Sequence, residues 1–294
     1  MNTQHLQYIL EIERVRSISQ AAENLYIGQP NLSRILHDME VSLGFSIFER
    51  TSRGVRPTER GARFLQHANS ILRETEMIEA LGPRRAVPNR LRVCIPRSAR
   101  NFEIAGEYLA ALGSPEGLSV EIRECHSGVA MELIANGEAE LGLIRFRTDY
   151  QDFFEEQTAK FELNFQILRQ LKYDVTMPKD HPLAGKSSLT AEELREYPEI
   201  AHDRFRRPSL PENDSSKRIY TVDRMAQCQL LQTIWGAYMW CEPLPERYLQ
   251  KWDLVQKPCN NGKLYIDALI FNPRYAMTPI EAGFVQYIIK ENQK

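Results

Sequence analysis

The sequence predicts a multidomain chain: an all-α head with two helices at a tight turn and a short two-stranded wing, then a long helix, then a larger α/β unit. Three observations predict it. Two short helix-like runs flank the joint Ile27-Gly28-Gln29-Pro30, an apolar stripe runs unbroken by proline from Glu59 to about Leu81, and strand-like and helix-like segments alternate from residue 90 onward. The 294 residues allow about two domains at ~150 residues each.

In the head, Leu6, Ile9 and Leu10 share one face at helical spacing, so the first segment reads as an amphipathic helix. Ser17 and Gln20 have the spacing of a capping box, which opens a second helix burying Ala21, Ala22 and Leu25. Gly28 permits a tight turn, and Pro30 suits the first turn of a third helix because its missing N–H costs nothing there. That helix runs to about Leu43, with Leu32, Ile35, Leu36 and Met39 inward and Gly44 as its stop. Phe45, Ile47 and Phe48 lead to the turn Ser52-Arg53-Gly54 and back through Val55, a two-stranded wing that Pro57 ends.

Thr58 can cap the helix that follows, whose apolar positions Phe64, Ala68, Ile71, Leu72, Thr75 and Ile78 recur at three- and four-residue steps. Some 23 residues make a rod of ~35 Å, too long for a head of this size to cover. Its stripe asks for a partner helix from a second copy; packing on its own domain is the alternative. Residues 82–89, GPRRAVPN, form the linker.

Beyond it, strands are expected at 90–96, 118–123 and 140–144 and helices at 102–112 and 129–135, an alternation that indicates a mostly parallel sheet covered on both faces. LNFQILRQLKYDVTMP reads as two adjacent strands crossing into a second lobe. There Thr190 and Glu193 cap a helix, 220–222 is a strand, 224–234 a helix and GAYMWCEPLP a strand. KLYIDALIF is a long strand, and Thr278-Pro279-Ile280-Glu281 opens the last helix.

Composition excludes several classes. The start, MNTQHLQYILEIERVRS, lacks a basic-then-apolar leader, and no apolar run approaches the ~20 residues of a membrane helix, so a cytoplasmic chain with no membrane partner is expected. Five cysteines without a Cys-x-x-Cys pair suggest buried reduced thiols and no metal; a thiol-based redox response is the alternative, since Cys228, Cys241 and Cys259 cluster late. No nucleotide loop, dinucleotide fingerprint, nucleophile elbow or zinc-protease motif is present, so neither an enzyme nor a cofactor is expected. Charge is uneven: residues 1–90 hold 12 Arg and no Lys against 10 acidic residues, and Arg50, Arg53, Arg56, Arg60 and Arg63 face only Glu59. Such a stripe suits a phosphate-contacting surface, a solvated basic face being the alternative.

In order along the chain, Ser17, Ala21-Ala22, Leu25, Gln29-Pro30, Ser33, Leu43-Gly44, Phe48-Glu49-Arg50, Gly54-Val55-Arg56, Thr58 and Gly61 form a combination that resembles the LysR-type transcriptional regulators. GLSVEIRECHSGVAMELIANGEAELGLI and KDHPLAGKSSLTAEEL resemble, more weakly, two segments of that family's effector domain. The resemblance implies a winged helix-turn-helix at 1–58, a dimerising linker helix at 59–81, a hinge at 82–89, and at 90–294 a two-lobed α/β effector domain similar to type 2 periplasmic binding proteins. Lobe I is expected at about 90–162 and 268–294, and lobe II at 163–267. It further implies dimers of dimers on double-stranded promoter DNA at interrupted dyad sites, with RNA polymerase as a candidate partner and a small molecule acting in the interlobe cleft. A solute-binding protein without DNA activity is the competing class; residues 17–60 argue against it.

Because a recognition helix presents its first residues to base edges, Gln29, Asn31 and Arg34 are the candidate readers, with Pro30 setting the turn. Ser17, Ser19 and Ser33 are candidates for phosphate bonds, and Arg50, Arg53 and Arg56 for wing charge. The chain departs from the family's pattern at Gly28, where Ser or Thr is common, at Asn31, where a small apolar residue is usual, and at Pro57, where leucine is more usual. For the effector, family positions correspond to Arg97, Ser98 and Arg100, to Ser127 and Gly128 after His126, and to the 201–203 loop with His202. Arg145 and Arg147 add charge. Helix starts and arginines together favour a carboxylate- or phosphate-bearing effector, pairing with local acidic residues being the alternative. Trp235, Tyr238, Met239 and Trp240 are bulky for that lobe and raise the alternative of a filled cleft.

Overall fold

The computed structural model describes residues 2–52, 54–80, 89–113, 115–202, 217–259 and 261–293. Arg53, hinge residues 82–88 and Asp203 lie outside them. Local capping accounts for the head's three short helices. α1 (Thr3–Val15) starts at Asn2, whose side chain accepts the His5 N–H, and buries Leu6, Ile9 and Ile12. α2 (Ile18–Asn24) starts at Ser17, whose hydroxyl accepts the Gln20 N–H; the Gln20 side chain turns instead to Glu23 and Asn24, so the expected box is one-sided. After it Tyr26 is left-handed (φ 55), and the Ile27 N–H returns to the Ala22 carbonyl, closing the joint. α3 (Gln29–Leu43) has no side-chain cap at Gly28, carries proline in its first turn and stops at left-handed Gly44.

The wing pairs β1 (Phe48–Thr51) antiparallel with β2 (Gly54–Pro57). Gly54 has φ 113, and a Cβ there would lie 2.3 Å from the Arg16 carbonyl, the group that accepts the Val55 N–H at 3.0 Å. Only glycine lets the wing sit against the end of α1. Thr58 accepts the Gly61 N–H at 2.9 Å and starts α4 (Glu59–Ala80). The α4 stripe divides: Leu65 and Ala68 are buried in the head core, with Phe64 and Leu72 half-buried beside them, whereas Ile71 and Ile78 stand 41% and 66% exposed.

Lobe I runs through β3 (Arg90–Ile95), α5 (Ala99–Leu112), β4 (Ser119–Glu124), α6 (Ser127–Ala135), β5 (Leu141–Arg147), α7 (Gln151–Lys160) and β6 (Asn164–Leu171). Lobe II holds β7 (Asp174–Pro178), β8 (Glu199–Ala201), β9 (Arg218–Tyr220), α8 (Arg224–Thr233), β10 (Met239–Cys241), α9 (Glu246–Lys251) and β11 (Leu254–Lys257). The chain returns to lobe I as β12 (Tyr265–Phe271) and ends with α10 (Pro279–Asn292), which starts on a reciprocal capping box of Thr278 and Glu281.

Three expectations are corrected here. The lobe I sheet has the order β4-β3-β5-β12-β6, and β12 lies antiparallel to both neighbours, so the sheet is mixed. β12 enters from the other lobe and not through a crossover helix, so nothing imposes the parallel direction. The lobe limits move accordingly: β6 and the whole of β12 belong to lobe I, and lobe II lies between them rather than over 163–267. The expected helix after Thr190 is a single 3-10 turn, Glu193–Glu196, although Thr190 and Glu193 do cap each other. Helices α5 and α10 cover one face of the sheet, and α6 with α7 the other. Among the described residues no helix is long and apolar enough to cross a membrane.

Candidate functional sites

The start of α3 is an exposed polar face on a buried base. Leu32, Leu36 and Met39 anchor the helix in the head core, while Gln29, Pro30, Asn31 and Arg34 face solvent and Ser33 is half-buried. Neighbouring side chains hold one another: Gln29 donates to Ser33 Oγ at 3.1 Å and Arg34 to Asn31 Oδ1 at 3.1 Å. Such bonds are exchangeable for bonds to base edges, since each group keeps further donors or acceptors. Ser17 spends its hydroxyl on the α2 cap, and Ser19 is exposed. In the wing Arg50 is exposed, and Arg56 pairs with Glu49 at 2.5 Å on the surface. The sequence reading missed Tyr26, which stands 95% exposed at the joint itself.

One carboxylate fixes wing to helix. Glu40 Oε1 accepts the backbone N–H groups of Ile47 at 2.6 Å and Phe48 at 3.2 Å, so the chain entering β1 hangs from α3.

A cavity of 480 Å³ lies between the lobes and is walled in part by Arg97, Glu124, His126, Ser127, Arg145 and His202. Four predicted effector positions thus meet there, and three do not. Arg100 turns to Glu103 at 3.3 Å and Glu291 at 3.6 Å, which draw it toward α10. Ser98 is buried behind the wall, capping α5 and donating to Glu242 at 2.9 Å. Gly128 is half-buried inside the first turn of α6, not in the wall. Arg147 also points away, paired with Asp149.

Arg145 is spoken for as well. It donates to Asp267 at 2.6 Å and to Glu242 at 2.7 Å, and Arg169 reaches the same two carboxylates at 3.0 and 3.3 Å. Burial opposes the charge on Arg145, but Asp267 and then Tyr173 and Glu242 hold its pKa well above the ordinary arginine value. Asp267 is likewise held low against its burial by Arg145 and Arg169. Ser127 accepts the Arg145 N–H at 3.2 Å and donates to its carbonyl, bracing β5 against α6.

The bulky lobe II residues leave the cleft open. Trp235 is 78% exposed, Met239 is buried in the lobe II core, and Tyr238 and Trp240 line a second cavity of 400 Å³. Tyr173 and Tyr265, on the two segments that cross between lobes, stack at 4.1 Å and line both cavities. All five cysteines are free thiols, and among the described residues no cluster could hold a metal.

Comparison with known proteins fits this architecture. The family model described as "Bacterial regulatory helix-turn-helix protein, lysR family" matches residues 3–62, and "LysR substrate binding domain" matches residues 87–237, just over half of the chain. The Hca operon transcriptional activator HcaR of Escherichia coli is 29% identical over 202 residues, 66% of this chain and 62% of that protein. The regulator AlsR of Bacillus subtilis is 27% identical over 215 residues, 71% of this chain and 67% of that protein. The alignments therefore span about two thirds or less of these relatives' own length. In fold, the chain is similar to full-length LysG from Corynebacterium glutamicum with bound effector Arg, at a TM-score of 0.66 and 12% identity, covering 100% of this chain and 98% of that one. A helix-turn-helix head matched from end to end and a two-lobed substrate-binding domain behind it show that the chain belongs to the LysR family of bacterial regulatory proteins.

Proposed function

We propose that this chain is a sequence-specific regulator of transcription that reads double-stranded promoter DNA with α3. The observation that carries the reading is the start of α3, where Gln29, Asn31 and Arg34 are exposed and, among the described residues, their side chains bond to each other or to Ser33, on a helix rooted in the core. Such side chains match adenine and guanine edges in the major groove. Arg50, Arg53 and Arg56 supply phosphate charge from the wing, and Ser19 and Tyr26 flank the reading face.

A dimer through 59–81 is part of the same proposal. Ile71 and Ile78 are seven residues apart and exposed, on a helix whose earlier turns are held in the head through Phe64, Leu65, Ala68 and Leu72. That is the spacing of a coiled-coil seam. Two heads so joined present two recognition helices to a dyad site. A tetramer and a contact with RNA polymerase rest on the family resemblance alone.

The cleft between the lobes is proposed as the effector site, because the cavity there is walled by residues of both lobes; LysG, similar in fold, was solved with a bound effector, Arg. Arg73 on α4 gives the cleft's domain a mechanical link to the heads, because it donates to the Gly137 carbonyl of lobe I. Gel retardation by the DNA upstream of the chain's own reading frame tests the regulator reading. Retardation that survives excess unrelated DNA is expected; none at low salt overturns it.

A further inference from the structure

Lobe II joins lobe I through two crossing segments, which carry the stacked rings of Tyr173 and Tyr265. Two crossing segments by themselves make a hinge, and only contacts outside them oppose its opening. In lobe II, Glu242, Gln227 and Arg247 supply such contacts, and all of them reach the region where α5 begins in lobe I.

Glu242 lies in the loop after β10 and is 1% exposed. Its Oε2 accepts from Ser98, the cap of α5, at 2.9 Å, from Arg145 on β5 at 2.7 Å and from Arg169 on β6 at 3.3 Å. Its own lobe holds the loop in place: Gln256 on β11 donates to the Glu242 carbonyl and to Thr176 Oγ1, each at 3.0 Å, and accepts the Leu244 N–H at 2.7 Å. Gln227 on α8 is buried and accepts from Arg97 Nη2. Arg247 on α9 pairs at 2.6 Å with Glu103 on α5, a carboxylate that Arg100 also reaches.

These contacts differ in kind. Arg247 is 64% exposed, so its ion pair is screened by water and weak by itself. Glu242 is buried, and parting the lobes breaks three hydrogen bonds on one carboxylate, two of them charge-assisted. It also leaves Arg145 and Arg169 sharing Asp267 as their counter-charge. Resistance to opening therefore lies chiefly in Glu242. The 480 Å³ cavity is present with all of these contacts made, so the space between the lobes does not depend on their parting.

We infer that Glu242, flanked by Gln227 and Arg247, is a built-in clasp between the lobes. It fastens them as one rigid body around a cavity already formed, so the two lobes move together on α4 and lobe closure is not the step that carries a signal. The inference does not depend on the cleft's being an effector site.

Hydrogen exchange of the full-length protein without added ligand, followed by mass spectrometry, tests it. The Asn101 N–H, bonded to Ser98 Oγ at 3.0 Å, and the Leu244 N–H, bonded to Gln256, lie on the two sides of the clasp. In the wild type, peptides spanning 98–104 and 240–246 should exchange slowly. In Glu242→Gln both should speed up together, by about tenfold, while peptides of β7 and β12 keep their wild-type rates. Glu242→Asp should recover part of the protection. Far-ultraviolet circular dichroism reports that each variant is folded. Should Glu242→Gln not fold, Arg247→Ala takes its place, with a severalfold rise expected in both peptides. Wild-type peptides that already exchange like an unstructured chain overturn the inference. So does a variant in which neither peptide speeds up, or in which the rise is confined to one lobe.

Discussion

Arg73 and Glu140 form an ion pair at 3.5 Å between α4 and the residue preceding β5, with 11% and 0% of their side chains exposed. Arg92 at 2.5 Å and Arg90 at 3.8 Å share the same carboxylate, so three cations from the linker helix and lobe I converge on one buried anion. Neutralising it in Glu140→Gln should destabilise the chain by about 3–5 kcal/mol, the usual consequence of stranding buried charge. Chemical unfolding monitored by tryptophan fluorescence measures this directly. A loss below 1 kcal/mol would mean the arginines have other anchors.

The wing should fail with Glu40. In Glu40→Ala the Ile47 and Phe48 N–H groups lose their acceptor, at a cost of about 1–3 kcal/mol. Because the wing then loosens from α3, DNA affinity should fall even though Glu40 is not among the proposed DNA contacts. Comparing retardation with helical content at 10 °C separates the two effects: undiminished affinity in a folded variant rejects the coupling.

Readers and phosphate contacts should separate by salt. Arg34→Ala should relax preference at one base pair, by about 1–3 kcal/mol, and leave the salt slope nearly unchanged. Arg50→Ala should weaken binding to all sequences and lower the slope of log K against log salt by about 1. A footprint indifferent to both substitutions would remove these roles.

Acidity should stabilise the junction of α1 with lobe I. Burial, and then Glu138, raises the Glu13 pKa from 4.5 to about 7, Arg16 opposing. Between those pH values the folded chain retains a proton that the unfolded chain has lost, so this group's contribution to stability falls as pH rises from about 4.5 to about 7. Glu13→Gln should therefore raise the melting midpoint at pH 8 and do little at pH 4.5. Equal effects at both would show that Glu13 does not titrate in this window.

What the sequence determined by itself is what short-range chemistry controls. Pro30 in the first turn, the caps at Ser17, Thr58 and Thr278, the glycine stops and the uninterrupted run from Glu59 each act within a few residues, so the head and the α4 rod are legible without a fold. The exposed polar start of α3 is legible for the same reason, because residues at a helix start face outward once the apolar stripe is placed. Gln151–Lys160 escaped notice as a helix, since its charged face hides a stripe of few apolar residues.

Only the tertiary structure decided the cleft. Ser98, Arg145, Glu242 and Asp267 lie as far as 169 positions apart, and whether an arginine offers its charge to a ligand depends on which carboxylate the fold delivers to it. Arg145 and Arg97 are alike in sequence, both just beyond or within an apolar strand. Glu242 and Asp267 neutralise the first, while Gln227, an uncharged partner, leaves the second with bonds to give. Electrostatic pairing acts through space and not along the chain, so which arginine is neutralised was decided only once both lobes were in place.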